Sequence, residues 1–325
     1  MSAPYSPSAP AILCAGEALI DMVPRDTPEG PAFLPLPGGS VFNTAIAAGR
    51  LGARTLFWYG LSTDLFGDQL RAALASAGVD ARLCHPVDRP TTLAFVTLNE
   101  GQARYLFLDE NTAGRMLTAD DVPEVPPEVG ALFIGGISLV GEPVGSAMEA
   151  LAIKVAGDGQ GRLIMIDPNI RPGFIRDEVA YRARIKRLLA LSNVVKLSDE
   201  DLLWLNGPGA VEDQARKVLA LGPHLVLVTQ GARGVHAFAR EWEAKVAAPE
   251  VTVVDTVGAG DTFNAGFLTA LAEAEALSRD GVAKISRDDV AAALRFATRA
   301  AGISVTRAGA NPPWRHEIEA LGSPA

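Results

Sequence analysis

Short, unbroken apolar runs constrain this chain more than any other feature. They are Ala11-Ile-Leu-Cys-Ala15, Thr55-Leu-Phe-Trp-Tyr59, Ala131-Leu-Phe-Ile134, Leu163-Ile-Met-Ile166, Val194-Val-Lys-Leu197 and Leu225-Val-Leu-Val228, and each runs into a glycine, an acid or a polar turn. Continuous rather than alternating hydrophobicity suits strands covered on both faces, as in a parallel sheet. Helical patterns lie between them. Asp64–Ala77 places Leu65, Leu70, Ala73, Leu74 and Ala77 on one face, with Gly78 ending it, and Tyr181–Leu191 and Val211–Leu221 read similarly. The alternation predicts a single α/β domain over 1–325 built on a doubly wound, mostly parallel sheet.

Two stretches break the rhythm. Thr92–Leu98 and Ala103–Leu108 flank Asn99-Glu-Gly-Gln102 and read as a β-hairpin, and Ala18–Pro37 holds strand-like pieces broken by Pro and Gly. Together, over about 18–40 and 91–115, they predict a small sheet projecting as a lid; the alternative is an antiparallel edge of the main sheet. A further hairpin is expected at Val235–Ala239 and Ala244–Ala247.

Composition narrows the function classes. With 48% hydrophobic residues the 325-residue chain can bury a sizeable core, and a net charge of −9 argues against nucleic acid or an acidic membrane as partner. Cys14 and Cys84 stand far apart and His85, His224, His236 and His316 are scattered, so neither a disulfide framework nor a zinc site is expected. The start, Met1–Pro10, reads as a Ser/Pro/Ala arm rather than a secretory signal, and no apolar run suits a membrane span. A cytoplasmic protein is the expectation.

Polar residues gather where the strands should end: Glu17 and Asp21, Asp167-Pro-Asn-Ile-Arg171, Ser198-Asp-Glu-Asp201, Thr229-Gln-Gly231, and Asp255–Asp261. Open parallel sheets bind ligands at that rim. In Asp255-Thr-Val-Gly-Ala-Gly-Asp261, two glycines open a helix carrying Phe263, Phe267, Leu268 and Leu271. Helix starts present unpaired N–H groups and partial positive charge, and small side chains let an anion approach. Asp261 can be read as a helix cap, or as a base that accepts a hydroxyl proton while the glycine amides hold a transferring group. Phosphoryl transfer needs that second combination. The P-loop pattern and the protein-kinase set are absent, and Ala15-Gly-Glu-Ala18 lacks a dinucleotide fingerprint. Pro37-Gly-Gly-Ser-Val-Phe-Asn43 leads into Thr44–Leu51 and Gly52, either as a turn facing a small polar ligand or as a plain loop and helix cap.

Gly38-Gly39, Asn43, Ala47 and Leu51-Gly52 resemble the N-terminal signature of the ribokinase-like, or PfkB, sugar kinases, and Asp255–Asp261 resembles the C-terminal one. The likeness spans about Ile12 to Arg315. It implies phosphorylation by ATP of a hydroxymethyl group on a small sugar, with Asp261 as base and Gly258, Ala259 and Gly260 as anion hole. Asp21, Gly39 and Asn43 match sugar-contacting positions, and Asn169 and Arg171 match a segment near phosphate and sugar. Thr229, Gly231 and Gly234 resemble a nucleotide-binding motif, with Ser198 beside them; the alternative is that the two glycines only shape a turn. In place of the family's Asn-x-x-Glu stands Ser198-Asp-Glu-Asp201, which leaves Asp201, or else Glu200, as the magnesium candidate. A potassium ion is expected, if anywhere, on backbone oxygens near Asp255 and Val257 and near Ser304–Gly309. A homodimer through the lid is the favoured assembly.

Gly16-Glu-Ala-Leu-Ile-Asp21, Asp167–Arg171 and Ser198–Asp201 resemble fructokinases more than ribokinases or adenosine kinases. The runner-up acceptor is 2-keto-3-deoxygluconate, whose carboxylate would need an additional cation such as Arg104 or Arg115. The non-enzymatic alternative is a sugar-binding protein that has lost catalysis; the intact Gly258–Asp261 stretch argues against it.

Overall fold

A computed structural model describes residues 9–99 and 102–320. The N-terminal arm up to Ser8, the hairpin tip at Glu100-Gly101 and the last five residues lie outside the described residues. The strands are β1 (Ala11–Ala15), β2 (Leu19–Thr27), β3 (Gly30–Gly38), β4 (Thr55–Trp58), β5 (Gly60–Ser62), β6 (His85–Val87), β7 (Leu93–Asn99) and β8 (Gln102–Leu108). They continue with β9 (Val129–Gly135), β10 (Leu163–Asp167), β11 (Val194–Ser198), β12 (Leu225–Thr229), β13 (Val235–Phe238) and β14 (Glu243–Val246). The helices are α1 (Ser40–Arg50), α2 (Leu65–Ser76), α3 (Val144–Gly157), α4 (Glu178–Leu191) and α5 (Asp199–Asn206). Then follow α6 (Val211–Leu219), α7 (Ala259–Glu273), α8 (Arg279–Lys284), α9 (Arg287–Ser304) and α10 (Arg315–Ala320).

The main sheet runs β14-β13-β12-β11-β10-β9-β1-β4. From β4 to β12 every pairing is parallel; β13 and β14 close one edge as an antiparallel hairpin. Each apolar run identified in the sequence supplies one of the parallel strands, and β1 is buried at all five positions. Helices cover both faces, so side chains pointing either way enter a core. Fully burying a residue such as Leu13 or Ile12 contributes about 1.5–3 kcal/mol, and most of the sheet's residues do so.

The helix boundaries follow their punctuation. Asp64 caps α2 by accepting from Gly67 N–H at 2.8 Å, and Gly78 follows the end in the left-handed region. α7 is buried along most of its length, lying against α1 and α9.

The two stretches outside the rhythm form their own sheet, ordered β3-β2-β7-β8. The alternative of an edge on the main sheet does not hold. β2 pairs antiparallel with β3 from Leu19↔Gly38 to Thr27↔Gly30, and parallel with β7 at Ile20↔Leu93. Ala15 and Leu19 are joined by three residues, so the small sheet stands directly over the rim where β1 ends.

Candidate active site

At the carboxyl ends of β1, β10 and β11 lies a pocket of about 380 Å³. The small sheet contributes Leu19, Asp21 and Phe107; the main domain contributes Glu17, Asp167, Asn169, Arg171 and Lys196. Two helix starts also face it: Gly39 and Ser40 at α1, and Gly258, Gly260 and Asp261 at α7. Both ends present partial positive charge to the same cavity, which suits an anionic ligand.

Local backbone chemistry puts them there. Gly39 holds φ +108°, and a Cβ on it would stand 2.4 Å from the Glu17 carbonyl oxygen, so only glycine lets the chain turn this close to β1. Glu17 fastens the turn. One of its carboxylate oxygens accepts from Ser40 N–H (3.1 Å) and Ser40 Oγ (2.5 Å), and the other accepts from Ser138 N–H (3.1 Å). Burial raises the Glu17 carboxyl above its ordinary range, although these donors oppose it.

The α7 start corrects one expectation. Asp261 does not cap the helix: the N-cap is Gly258, left-handed at φ +75°, and makes no side-chain cap. Asp261 therefore stands at the third helical position, only 8% exposed, with its Oδ2 accepting from Asn43 Nδ2 at 3.0 Å. Ala259 directs its N–H to Thr256 O at 3.3 Å; the N–H groups of Gly258, Gly260 and Asp261 have no partner among the described residues. Burial pushes the Asp261 carboxyl up to about 7; Asp167 and Glu17 add to the rise, while Asn43 and Lys196 restrain it. A carboxylate with that proton affinity, beside unpaired amides, can take a proton from a hydroxyl while an anion is held alongside. Asp21, on the small sheet, is likewise pushed up by burial, to about 6.

Of the residues singled out in the sequence, Asp21, Gly39, Asn169, Arg171, Gly258, Gly260 and Asp261 come together in the pocket. Asn43 reaches it through Asp261 instead of lining it. Ser198, Thr229, Gly231 and Gly234 lie at the ends of the next strands, β11 and β12, and do not line this cavity. Gly231 and Gly234, both at positive φ, close the turn into β13 through a Gly234 N–H to Gly231 O bond.

Asp201 is engaged in local hydrogen bonds at both carboxylate oxygens. With Ser198 it forms a capping box on α5: its Oδ2 accepts from Ser198 N–H (2.8 Å) and Oγ (2.7 Å), and its Oδ1 accepts from Ile170 N–H (2.8 Å). Glu200 is exposed. Among the described residues no group of three acidic, histidine or cysteine side chains could hold a metal ion. Asp255 accepts from Val257 N–H (3.0 Å) and Gly309 N–H (2.8 Å), which joins the 255–257 loop to the segment after α9. Arg115 is engaged elsewhere, donating to Glu142 O and pairing with Asp109, and the Arg104 side chain lies outside the described residues.

Sequence reasoning missed three features. Lys196 is buried in an ion pair with Asp167 (2.9 Å), and Asn264 Nδ2 donates to the same carboxylate (2.7 Å). Phe107 meets Phe174 edge-to-face with centroids 4.5 Å apart, closing one side of the pocket between the small sheet and the main domain. A lysine inside the buried run Val194–Leu197 was the available signal for the first; the aromatic pair left none.

Comparison with known proteins agrees with this geometry. A family model described as pfkB family carbohydrate kinase matches residues 9–317. A fructokinase from Rhizobium leguminosarum bv. trifolii is 48% identical over 275 residues, 84% of this chain and 83% of that protein. The crystal structure of fructokinase with bound ATP from Xylella fastidiosa superposes with a TM-score of 0.85 at 30% identity, covering 96% of this chain and 97% of that one. A double mutant of fructokinase from Vibrio cholerae O395, bound to fructose, ADP and potassium ion, gives a TM-score of 0.84 at 25% identity, covering 97% and 99%.

Proposed function

The chain belongs to the pfkB family of carbohydrate kinases and is a phosphotransferase acting on a sugar hydroxyl; from that premise we propose that ATP is its donor and fructose its acceptor. One observation carries the reading: the buried Asp261 carboxylate shares a helix start with unpaired N–H groups at the floor of a sugar-sized pocket. A hydroxymethyl oxygen of the sugar faces Asp261 and gives up its proton there as it attacks the γ-phosphorus. The amides of Gly258 and Gly260 and the α7 dipole meet the charge on the transferring oxygens, while the Ala259 N–H is directed to Thr256 O. Asn43 fixes the carboxylate's orientation.

Asp21, Gly39, Asn169 and Arg171 are assigned to the sugar's other hydroxyls, whose discrimination depends on buried polar partners. The nucleotide extends along the ends of β11 and β12, past Ser198, Thr229, Gly231 and Gly234. Magnesium travels on the nucleotide phosphates, since Mg²⁺ keeps several waters and both Asp201 oxygens already accept hydrogen bonds from the protein. Potassium is assigned to carbonyl oxygens where the 255–257 loop meets the segment after α9. The small sheet acts as the lid over a cytoplasmic enzyme's sugar site and as its dimer contact. Arg115 being tied to Glu142 and Asp109 weighs against a carboxylate-bearing acceptor.

The test is coupled ADP release with fructose, 2-keto-3-deoxygluconate, ribose, tagatose and adenosine. Fructose should give the highest kcat/KM. A higher value for any other acceptor removes the fructose assignment, and binding of fructose without ADP release removes the enzyme.

A further inference from the structure

Glu17 lines the pocket just beyond β1, 3% exposed, and among the described residues no lysine, arginine or histidine pairs with its carboxylate. A buried carboxylate held by neutral donors alone is costly, and burial raises this carboxyl above its ordinary range. What it holds explains its presence. Gly39, the N-cap of α1, supplies no side-chain cap, and its close approach to the Glu17 carbonyl oxygen leaves no room for a serine or aspartate there. Glu17 supplies the cap from 23 residues away. Its Oε1 accepts from Ser40 N–H and Oγ, and its main-chain oxygen accepts from Phe42 N–H at 3.2 Å. Two of the donors that a helix start leaves unpaired therefore end on one residue. Its negative charge also suits the positive end of α1.

The other oxygen ties this cap to a third segment. Oε2 accepts from Ser138 N–H in the turn after β9, and Ser138, 1% exposed, donates its Oγ to Gly135 O at 2.8 Å. Packing there is so close that a Cβ on Gly136 would strike both Glu17 Oε1 and Ser40 Oγ. One carboxylate thus joins the ends of β1 and β9 to the start of α1. The apolar burial along α1 is not directional, so these bonds are what fix the helix along its axis. That position matters because of Asn43. It stands three residues after Ser40, on the same side of α1, and its Nδ2 is the one hydrogen-bond donor to the Asp261 carboxylate among the described residues, at 3.0 Å. A slip of about 1 Å along that bond would take it out of hydrogen-bond range.

We propose that Glu17 is a positioning residue of the phosphoryl transfer: by capping α1 and tying it to the end of β9, it delivers Asn43 to Asp261 and so aims the base at the sugar's hydroxymethyl oxygen. The inference rests on the assignment of Asp261 as the base of sugar phosphorylation. Glu17 acts through Asn43 and moves no proton itself. Gly39 can then remain a glycine at the pocket's edge, because its missing cap is made up from β1.

The experiment is a double-mutant cycle in the full chain: Glu17→Ala, Asn43→Ala and the two combined, with folding checked by circular dichroism and kinetics followed by ADP release. Glu17→Ala is expected to lower kcat about 100-fold, the scale of misplacing a reacting group by about 1 Å, with the KM for ATP within about twofold of the parent. In the Asn43→Ala background the same substitution should cost less than about threefold, because the path to Asp261 is already cut. Glu17→Gln keeps the volume and one acceptor oxygen, which can serve Ser40 or Ser138 but not both, and should lose about tenfold. If Glu17→Ala does not fold, Glu17→Gln takes its place in the cycle under the same criteria. Losses that simply multiply in the combined variant, or a folded variant at position 17 whose kcat stays within about threefold of the parent in place of the expected loss, overturn the proposal and leave Glu17 as a structural cap. The parent and Asp261→Asn are assayed alongside: no ADP release by the parent with any sugar removes the kinase reading, and near-normal turnover by Asp261→Asn removes the base.

Discussion

Replacing Asp261 by asparagine should make the protein more stable and nearly inactive, and the two effects have one cause. The carboxyl sits 8% exposed and is pushed up to about 7 from an ordinary 3.8, with burial as the largest contribution. The groups around it are Asn43 on α1, Asp167 on β10, Lys196 on β11 and Glu17 beyond β1. Because the folded-state value is raised, the folded protein binds this proton more tightly than the unfolded chain does. That stabilisation is complete below about pH 4 and is lost as pH rises through about 7, each unit being worth about 1.4 kcal/mol. Well above pH 7 the ionised carboxylate therefore costs the fold on the order of 4 kcal/mol. The substituted amide cannot ionise and can still accept from Asn43, so the variant avoids that cost. Calorimetric Tm values at pH 5.5 and 8.5 should show the variant's advantage widening at the higher pH. Glu17 and Asp21, also raised, are common to both proteins and cancel in the difference. Turnover with fructose and ATP should fall by roughly 10²–10⁴, the contribution of a general base. In the parent, kcat/KM should rise with pH with a midpoint near 7, set by the free enzyme's carboxyl. A Tm difference that is the same at both pH values, or near-normal turnover by the variant, would refute the assignment of Asp261 as a buried base.

Further expectations concern the frame around that carboxylate. Gly258→Ala should lower kcat by at least about tenfold, because φ +75° costs a non-glycine residue about 1–2 kcal/mol and the new methyl would meet Ala310 Cβ at 2.8 Å; steady-state kinetics with folding checked by circular dichroism decides it. Phe107→Ala removes an edge-to-face contact worth about 0.5–1.5 kcal/mol with Phe174. Its KM for fructose should rise about two- to tenfold with the KM for ATP unchanged, and an equal rise in both would count against a lid role. Replacing potassium by lithium in the assay should lower activity if carbonyl oxygens beside Asp255 hold the ion; identical rates in both salts exclude that site.

The sheet was legible because strands covered on both faces must be apolar at successive positions, and Ala11–Ala15 or Leu225–Val228 admit little else. The strands of the small sheet were legible as strands, but their pairing was not. Ile20 meets Leu93 across more than seventy residues of chain, and nothing local in either segment encodes that register. The helix start at Asp255–Asp261 was recognisable from its glycines. Its cap was misread, because Gly258 in a left-handed conformation begins the helix earlier than a capping aspartate would. The candidate magnesium position has a second use that the spacing did not reveal: Ser198 and Asp201 spaced three apart form a capping box, and that spacing serves a helix as well as it serves a ligand. Lys196 was visible as an odd residue in an apolar run, but its partner Asp167 lies on another strand and only the fold brings them together.

The most direct measurement of the central claim is the proton-coupled ³¹P spectrum of the product formed from fructose and ATP. Transfer to a hydroxymethyl group places the new phosphate next to two protons, so ADP should appear together with one sugar phosphomonoester signal split into a triplet. A doublet, which reports a secondary hydroxyl, or inorganic phosphate as the sole new signal, would contradict it.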